Sequence, residues 1–406
     1  MDVLIFFALV SGNIVQLYFL SCAFFYLFLS SVGILFWREK ESVCYSTLHR
    51  FAILIPAHNE EKVIGNLLES ILLLDYPKEL FDVYVIVDHS NDKTLEISKK
   101  FGVNTIDLND NLPSSKARAL NYATSILKNK NYDAFCYFDA DSLVHPLFLK
   151  TMSYYLSNGY KAIQAQQIPK NPQESIISLI LSAGQFITNR FFQKPKRILG
   201  LSATLHGKGI CFTNEIAEKY SWDETCLTED LEMQMRLISD GIFILWGESA
   251  LVYDEQPLTI SQYVKRSVRW TRGSLDTAKK YAAKLFLNSI KNLDLRSFEA
   301  FLYTVGVYRT IFVIIAAISI YFTGDRFNIL VYLFNLIPYN NFFLKLIFLM
   351  IPLFILPLIM WIDRVIRFNM FVAYYMQPLL GIIRLPIFIM GILKSRNIWD
   401  RTEHTS

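Results

Sequence analysis

Apolar and polar positions divide this chain into three textures. Val3 to Trp37 is almost wholly apolar, with strongly polar side chains only at Asn13 and Gln16. A membrane-spanning helix needs about 20 apolar residues, which Ile14 to Trp37 supplies. The run is too long for a signal-peptide core, and no small-x-small cleavage site follows it. Arg38-Glu39-Lys40 flanks it on one side and only Met1-Asp2 on the other. The positive-inside rule therefore places the N-terminus outside and residue 38 onward in the cytoplasm.

From Phe51 to about Phe243, short apolar runs alternate with amphipathic ones. Strands are predicted at 51–55, 82–87, 103–106, 133–138 and 161–165, and helices at 61–74, 93–100, 116–127 and 146–156. That alternation predicts βαβ units and a mostly parallel sheet, whose ligands bind beyond the carboxyl ends of the strands. No G-x-G-x-x-G follows the first strand, which argues against a dinucleotide cofactor. Glu174 to Phe192, followed by Lys194-Pro-Lys-Arg197, is compatible with a core helix or with a helix at the membrane surface. Thr259 to Asn292 is a second amphipathic helix, with Lys265, Arg266, Arg269 and Arg272 clustered.

After Ser297 the chain becomes membrane-like again. Phe301–Phe322 and Phe342–Trp361 are each long enough to span. Arg309, inside the first, reads as a functional group or as a snorkelling cation. Phe327–Ile337 is short for a crossing. Phe368–Leu393, interrupted by Gln377-Pro378, Arg384 and Pro386, predicts a broken or re-entrant element followed by a cytoplasmic tail. The expected organisation is a transmembrane helix in 1–40, an α/β domain in 48–257, interface helices in 258–297, a transmembrane or re-entrant region in 298–393 and a tail in 394–406.

Composition agrees with a partly membrane-embedded chain. Hydrophobic residues make up 53% and aromatic residues 15%, and the mean hydropathy of +0.30 is high for a wholly soluble protein. Lysine and arginine number 40 against 36 acids, a net charge of +4. That is too mild for nucleic acid, and no basic patch interleaved with aromatics occurs. Five scattered cysteines without a C-x-x-C read as reduced packing residues and make no zinc site.

The candidate chemistry centres on Asp139 and Asp141, just past the predicted strand 133–138. Two carboxylates where a strand ends and the chain turns can converge on one hard cation such as Mg²⁺ or Mn²⁺, which leaves places for phosphate oxygens. Pro56 to Glu60 and Asp88 to Asp92 fall at other predicted strand ends, so the fold would gather all three.

Six segments occur in order: Ile55-Pro-Ala-His-Asn-Glu60, Val87-Asp-His-Ser-Asn-Asp-Lys-Thr94, Ser115-Lys-Ala-Arg-Ala-Leu-Asn121, Phe138-Asp-Ala-Asp141, Thr228-Glu-Asp230 and Arg266-Ser-Val-Arg-Trp270. Together they resemble the family 2 glycosyltransferases, within these the membrane-integrated cellulose, chitin, hyaluronan and poly-N-acetylglucosamine synthases. The resemblance implies a cytoplasmic GT-A domain, Rossmann-like α/β in class, between N- and C-terminal transmembrane helices of a multi-pass cell-membrane protein. It implies that Pro56, Ala57, Glu60, Asp88, Lys116 and Asp139 bind the nucleotide, with Glu60 on the ribose, Asp88 on the uracil ring and Lys116 near the diphosphate. Asp139 and Asp141 would hold Mg²⁺ or Mn²⁺. Asp230 would be the general base of an inverting displacement, with Glu229 beside it. Arg269 and Trp270 would meet the diphosphate and a sugar ring. Two positions depart from the family: Ser115 replaces a common glycine, and Arg266 replaces the glutamine of Gln-x-x-Arg-Trp. His206-Gly-Lys-Gly209 and Trp222 fall near acceptor-facing loops.

The implied activity is transfer from a UDP-sugar to a glycan acceptor for a cell-surface polysaccharide, with membrane lipid as surroundings. Single addition to a lipid-linked or glycolipid acceptor, and a non-catalytic membrane protein that binds nucleotide sugar, are the alternatives.

Overall fold

The computed structural model describes residues 2–38, 41–44, 47–324, 328–337 and 341–394. Eight strands form one sheet: β1 (Phe51–Ala57), β2 (Phe81–Asp88), β3 (Asn104–Leu108), β4 (Ala134–Tyr137), β5 (Leu143–Val144), β6 (Ala162–Pro169), β7 (Ile210–Thr213) and β8 (Ile244–Asp254). Their order is β3-β2-β1-β4-β7-β6-β8-β5. β1 to β4 run parallel as the alternation predicts, with Leu54 beside Tyr84 on one side and Tyr137 on the other. Every residue of β1 is buried, the signature of a strand covered on both faces.

The second half of the sheet departs from a parallel reading. β7 runs antiparallel to both β4 and β6, and β5 antiparallel to β8, so the sheet is mixed. β7 escapes sequence reading because it is four residues long and directly follows Gly207 and Gly209, both in left-handed backbone.

Helices α2 (Ile64–Leu72), α3 (Thr94–Lys100) and α5 (Phe148–Ser157) cover one face of the sheet, and α4 (Lys116–Leu127), α8 (Asn214–Lys219) and α9 (Glu229–Ser239) the other. Between sheet and apolar helices lie α6 (Ile176–Thr188), a π-helical turn at Asn189–Gln193 and α7 (Lys194–Ile198). The basic run here has acidic partners within the protein: Lys194 pairs with Glu248 at 2.8 Å, Lys196 with Glu299 at 3.0 Å, and Arg197 with Glu41. Cations withdrawn from water need such partners.

α1 (Asp2–Leu35) is longer than the predicted span, and α10 (Ile260–Lys291) opens with a capping box between Thr259 and Gln262. α11 (Leu295–Val305) and α12 (Arg309–Thr323) are joined by a 3₁₀ turn at Gly306–Tyr308, so the predicted span 301–322 is interrupted just before Arg309. α13 (Ile329–Leu336) is short, α14 (Phe342–Ile362) has 21 residues, and α15 (Phe368–Tyr374), α16 (Gln377–Ile382) and α17 (Arg384–Leu393) follow. Among the described residues, Ile5–Leu35 and Leu295–Thr323 are long and apolar enough to cross a membrane, and Phe368–Ile382 with Arg384–Leu393 forms a pair bent by 50°. The predicted tail beyond Lys394, and Glu39 and Lys40 of the basic flank, lie outside the described residues.

The two polar interruptions of the first apolar run have structural work. The Asn13 side-chain oxygen accepts from the Ile329 N–H at 3.2 Å, and the Gln16 oxygen from the Leu330 N–H at 2.9 Å. They satisfy orphan donors at the start of α13, where water is scarce. Gly12 meets Ser319 so closely that a Cβ there would sit 2.0 Å from its Oγ, which lets α1 and α12 pack tightly.

Candidate functional site

The carboxyl ends of β1 and β4 meet the N-termini of α4 and α9 and one flank of α10 around a cavity of about 800 Å³. Pro56, Glu60, Lys116, Asp139, Asp141, Glu229, Asp230, Arg266, Arg269 and Trp270 lie on its wall. Ala57 and Asp88, the other two predicted positions, do not.

Asp88 is fully buried behind the wall. Its Oδ2 accepts from the Ser114 hydroxyl at 2.7 Å and the Ser115 N–H at 2.9 Å, and its Oδ1 bonds His89 Nδ1 at 2.7 Å and faces Arg118 at 3.4 Å. In this arrangement the carboxylate fixes the loop that leads into α4. Ser115 also caps α4 by accepting from the Arg118 N–H. Asn59 and His89, just beyond β1 and β2, both have φ above +50°. Asn59 donates its N–H to Ser90 Oγ at 2.9 Å and accepts the Asn91 N–H at 2.8 Å, so the two strand ends interlock.

Lys116 stands at the start of α4, where a cation opposes the helix dipole. Carboxylates compensate: its Nζ lies 2.5 Å from Asp139 Oδ1 and 3.2 Å from Glu229, and donates to the Gly207 carbonyl at 3.3 Å. Burial alone would lower the Lys116 ammonium, but Asp139, Glu229 and Asp230 together hold its pKa above the ordinary lysine value.

Asp230, in the first turn of α9, is 5% exposed. Its Oδ1 accepts from the Leu231 N–H at 2.8 Å. Burial, then repulsion from Glu229, pushes its carboxyl up to about 7 against the pull of Lys116. A carboxylate so raised takes up a proton near neutral pH. α9 reaches this position because Thr228, just before it, packs onto Gly273 of α10.

Of His206-Gly-Lys-Gly209, which the resemblance puts near acceptor-facing loops, His206, Gly207 and Lys208 line the cavity. Gly207 has φ +72°, and a Cβ there would stand 3.0 Å from Lys116 Nζ and 3.3 Å from Asp230 Oδ2. Lys208 pairs with Asp254, and its Nζ is 4.0 Å from Asp139 Oδ2. Burial, then Arg266 and two lysines, holds His206 down at about 3, so it is neutral. Asp254 was missed, although it ends β8 as Asp88 ends β2. Arg266, in the place of the expected glutamine, stands 4.0 Å from Asp254 Oδ2.

Asp139 and Asp141 are the residues that could hold a metal. Asp141 Oδ1 is buried without a hydrogen-bond partner, an acceptor suited to a hard divalent cation. No group of three or more His, Cys, Asp or Glu side chains with metal-binding spacing occurs among the described residues. The remaining coordination positions would fall to water and phosphate.

Residues 49–273 match the family model described as "Glycosyltransferase like family 2". Among curated proteins, the chain is 27% identical over 259 residues to the probable glycosyltransferase YdaM of Bacillus subtilis (strain 168), covering 62% of this chain and 60% of that protein. It is 26% identical over 246 residues to a poly-β-1,6-N-acetyl-D-glucosamine synthase of Staphylococcus aureus (strain COL), covering 58% and 57%. The chain thus spans less than two thirds of the length of these relatives. Among solved structures, the mannosyltransferase PcManGT from Pyrobaculum calidifontis, in complex with GDP-Man and Mn²⁺, superposes with a TM-score of 0.56 at 14% identity, covering 97% of this chain and 99% of that one. The fold is GT-A-like with a mixed sheet.

Proposed function

The chain belongs to glycosyltransferase-like family 2 and is a transferase; we propose that it is a membrane-bound, inverting enzyme that moves a sugar from a UDP-sugar to a hydroxyl of a glycan acceptor, in the synthesis of a cell-surface polysaccharide. The single observation that carries this reading is Asp230, a buried carboxyl raised to about 7 and set on the same cavity wall as Asp139 and Asp141.

In the proposed reaction Asp230 accepts the proton of the acceptor hydroxyl as that oxygen attacks the anomeric carbon. The new glycosidic bond forms as the bond to the diphosphate oxygen breaks, with inversion because base and leaving group lie on opposite faces. Asp139 and Asp141 would hold Mg²⁺ or Mn²⁺, which would supply charge neutralisation for the departing diphosphate. Lys116 and Arg269 add fixed positive charge there. Trp270 offers an indole face to a sugar ring, and Glu60 faces the ribose. Asp88 acts through the 112–116 loop that it holds.

The similarity to a poly-N-acetylglucosamine synthase supports an N-acetylhexosamine donor, and the apolar helices Ile5–Leu35 and Leu295–Thr323 support a membrane setting. A second reading, single addition to a lipid-linked acceptor, is favoured by Arg266, which faces Asp254 where the processive pattern carries glutamine.

Purified full chain in lipid nanodiscs with Mn²⁺, a panel of UDP-sugars and GDP-mannose tests the proposal through nucleoside diphosphate release and product size. Release with one UDP-sugar, long products and loss in Asp230→Asn are expected. One short lipid-linked product would select the second reading, and silence with every donor and acceptor would overturn both.

A further inference from the structure

Asp139 is bracketed by two ammonium groups. Lys116 takes its Oδ1 at 2.5 Å, and Lys208 stands 4.0 Å from its Oδ2 on the same cavity wall. We infer that Lys208 is a second diphosphate-binding cation, aimed at the Asp139–Asp141 seat by Asp254, so that nucleoside diphosphate binding keeps a component independent of metal. This deepens the proposed function and rests on it.

Three observations lead there. First, Lys208 is 7% exposed and paired with Asp254, itself 2% exposed. A buried ion pair contributes little net stability against an apolar pair of equal volume, so stability alone is a weak reason for a lysine at this place. An anion entering the cavity supplies a stronger one.

Second, the backbone is built to direct this side chain. Gly207 and Gly209 flank it with φ of +72° and +66°, a backbone that L side chains rarely adopt. A Cβ on Gly209 would lie 2.8 Å from Val252 Cγ1 and 3.0 Å from Ala165 Cβ. The loop is therefore pressed onto β6 and β8, and Lys208 is directed between Asp139 and Asp254.

Third, Asp254 has other donors near it. Gln256 Nε2 donates to its Oδ2 at 3.1 Å, and Arg266 stands 4.0 Å from the same oxygen. When Lys208 turns its ammonium towards a phosphate oxygen, Asp254 stays compensated. An ammonium is a compact point charge with three donors, suited to phosphate oxygens of varied geometry.

The test measures UDP binding to the full chain in nanodiscs, in EDTA and in Mn²⁺, and Mn²⁺ binding alone by electron paramagnetic resonance. Lys208→Met, which keeps the apolar stem, is expected to weaken UDP binding in EDTA by roughly tenfold or more. Its affinity for Mn²⁺ is expected to rise at least roughly threefold, because a cation beside the seat is gone. A lower melting temperature with both affinities unchanged would make the pair structural only and overturn the inference. Wild-type protein that binds no UDP in either condition would sink the UDP-sugar reading as well.

A second measurement needs no variant. A UDP analogue with an acyl group on its terminal phosphate acylates an amine lying against that phosphate. Peptide mapping of the wild-type protein labelled in EDTA is expected to find the acyl group on Lys208. Label confined to Lys116 would overturn the inference.

Discussion

Gly273 of α10 faces Thr228, the residue before α9, so closely that a Cβ in its place would lie 2.2 Å from the threonine Oγ1. That contact joins the helix carrying Arg269 and Trp270 to the helix start carrying Glu229 and Asp230. Gly273→Ala must push the two apart, an overpacking that costs about 1–3 kcal/mol. Displacing a reacting group by about 1 Å can cost roughly a hundredfold in rate. We expect sugar transfer to fall at least tenfold while the variant still inserts in membranes; an unchanged initial rate of UDP release would refute the coupling.

The raised carboxyl of Asp230 sets the pH dependence. Its ionised form is the base, so kcat/KM is expected to rise with pH and level off above about 7. Stability runs the other way. A carboxyl whose folded value lies above its unfolded one favours the fold fully below roughly pH 4, and that contribution is lost as pH rises through about 7. Asp230→Asn is expected to lower the rate by about 10²–10⁴-fold and to raise the melting temperature at pH 8 but not at pH 4. A melting temperature that drops at both pH values would count against a buried, raised carboxyl.

Lys116 pulls Asp230 down, against burial and Glu229. Removing that cation in Lys116→Met leaves the carboxyl with only its raising influences. The inflection of the pH–rate profile is then expected to move to higher pH, alongside a loss of rate. Rate loss with the inflection unmoved would mean that Lys116 serves the diphosphate without tuning the base. Titration of kcat/KM between pH 5 and 10 separates the two results.

Acids at the carboxyl ends of apolar runs were legible because sheet strands deliver their last residues to one edge. That pattern found Asp139, Asp141 and Asp88, whereas Lys116 and Asp230 came from the resemblance of their segments to the family. The pattern could not tell that Asp88 would spend its oxygens on Ser114, Ser115, His89 and Arg118, since those bonds depend on how the loops fold back. Asp254 carries the same strand-end signal but follows a run, Ile244 to Tyr253, that no neighbouring motif singled out. Lys194 to Arg197 left a core helix and a membrane-surface helix both open, because sequence records charge and not the distant Glu41, Glu248 and Glu299 that pair with it. The antiparallel β7 was illegible for a related reason: its partners β4 and β6 lie far along the chain, and four residues carry too little periodicity.

Gly207 gives a sharper test of the loop before β7. Its φ of +72° already disfavours any other residue, and a Cβ would crowd Lys116 Nζ at 3.0 Å and Asp230 Oδ2 at 3.3 Å. Gly207→Ala is expected to remove nearly all activity, with a stability loss of about 1–2 kcal/mol from the backbone. Normal turnover with a merely lowered melting temperature would place the loop outside the chemistry.

Gln16 extends the argument to the apolar helices. It is fully buried in α1, donating to Asn328 Oδ1 at 3.0 Å and accepting from the Leu330 N–H at 2.9 Å. Gln16→Leu keeps the apolar run intact, and by hydropathy alone it should strengthen the span. The structure argues the opposite, because the Leu330 N–H and the Asn328 side chain would each lose a partner in surroundings poor in water. The expected cost is about 1–3 kcal/mol, read as a lower melting temperature in detergent with UDP affinity unchanged at low temperature. A variant that melts at or above the wild-type temperature would show that hydropathy outweighs the hydrogen bonds between α1 and α13.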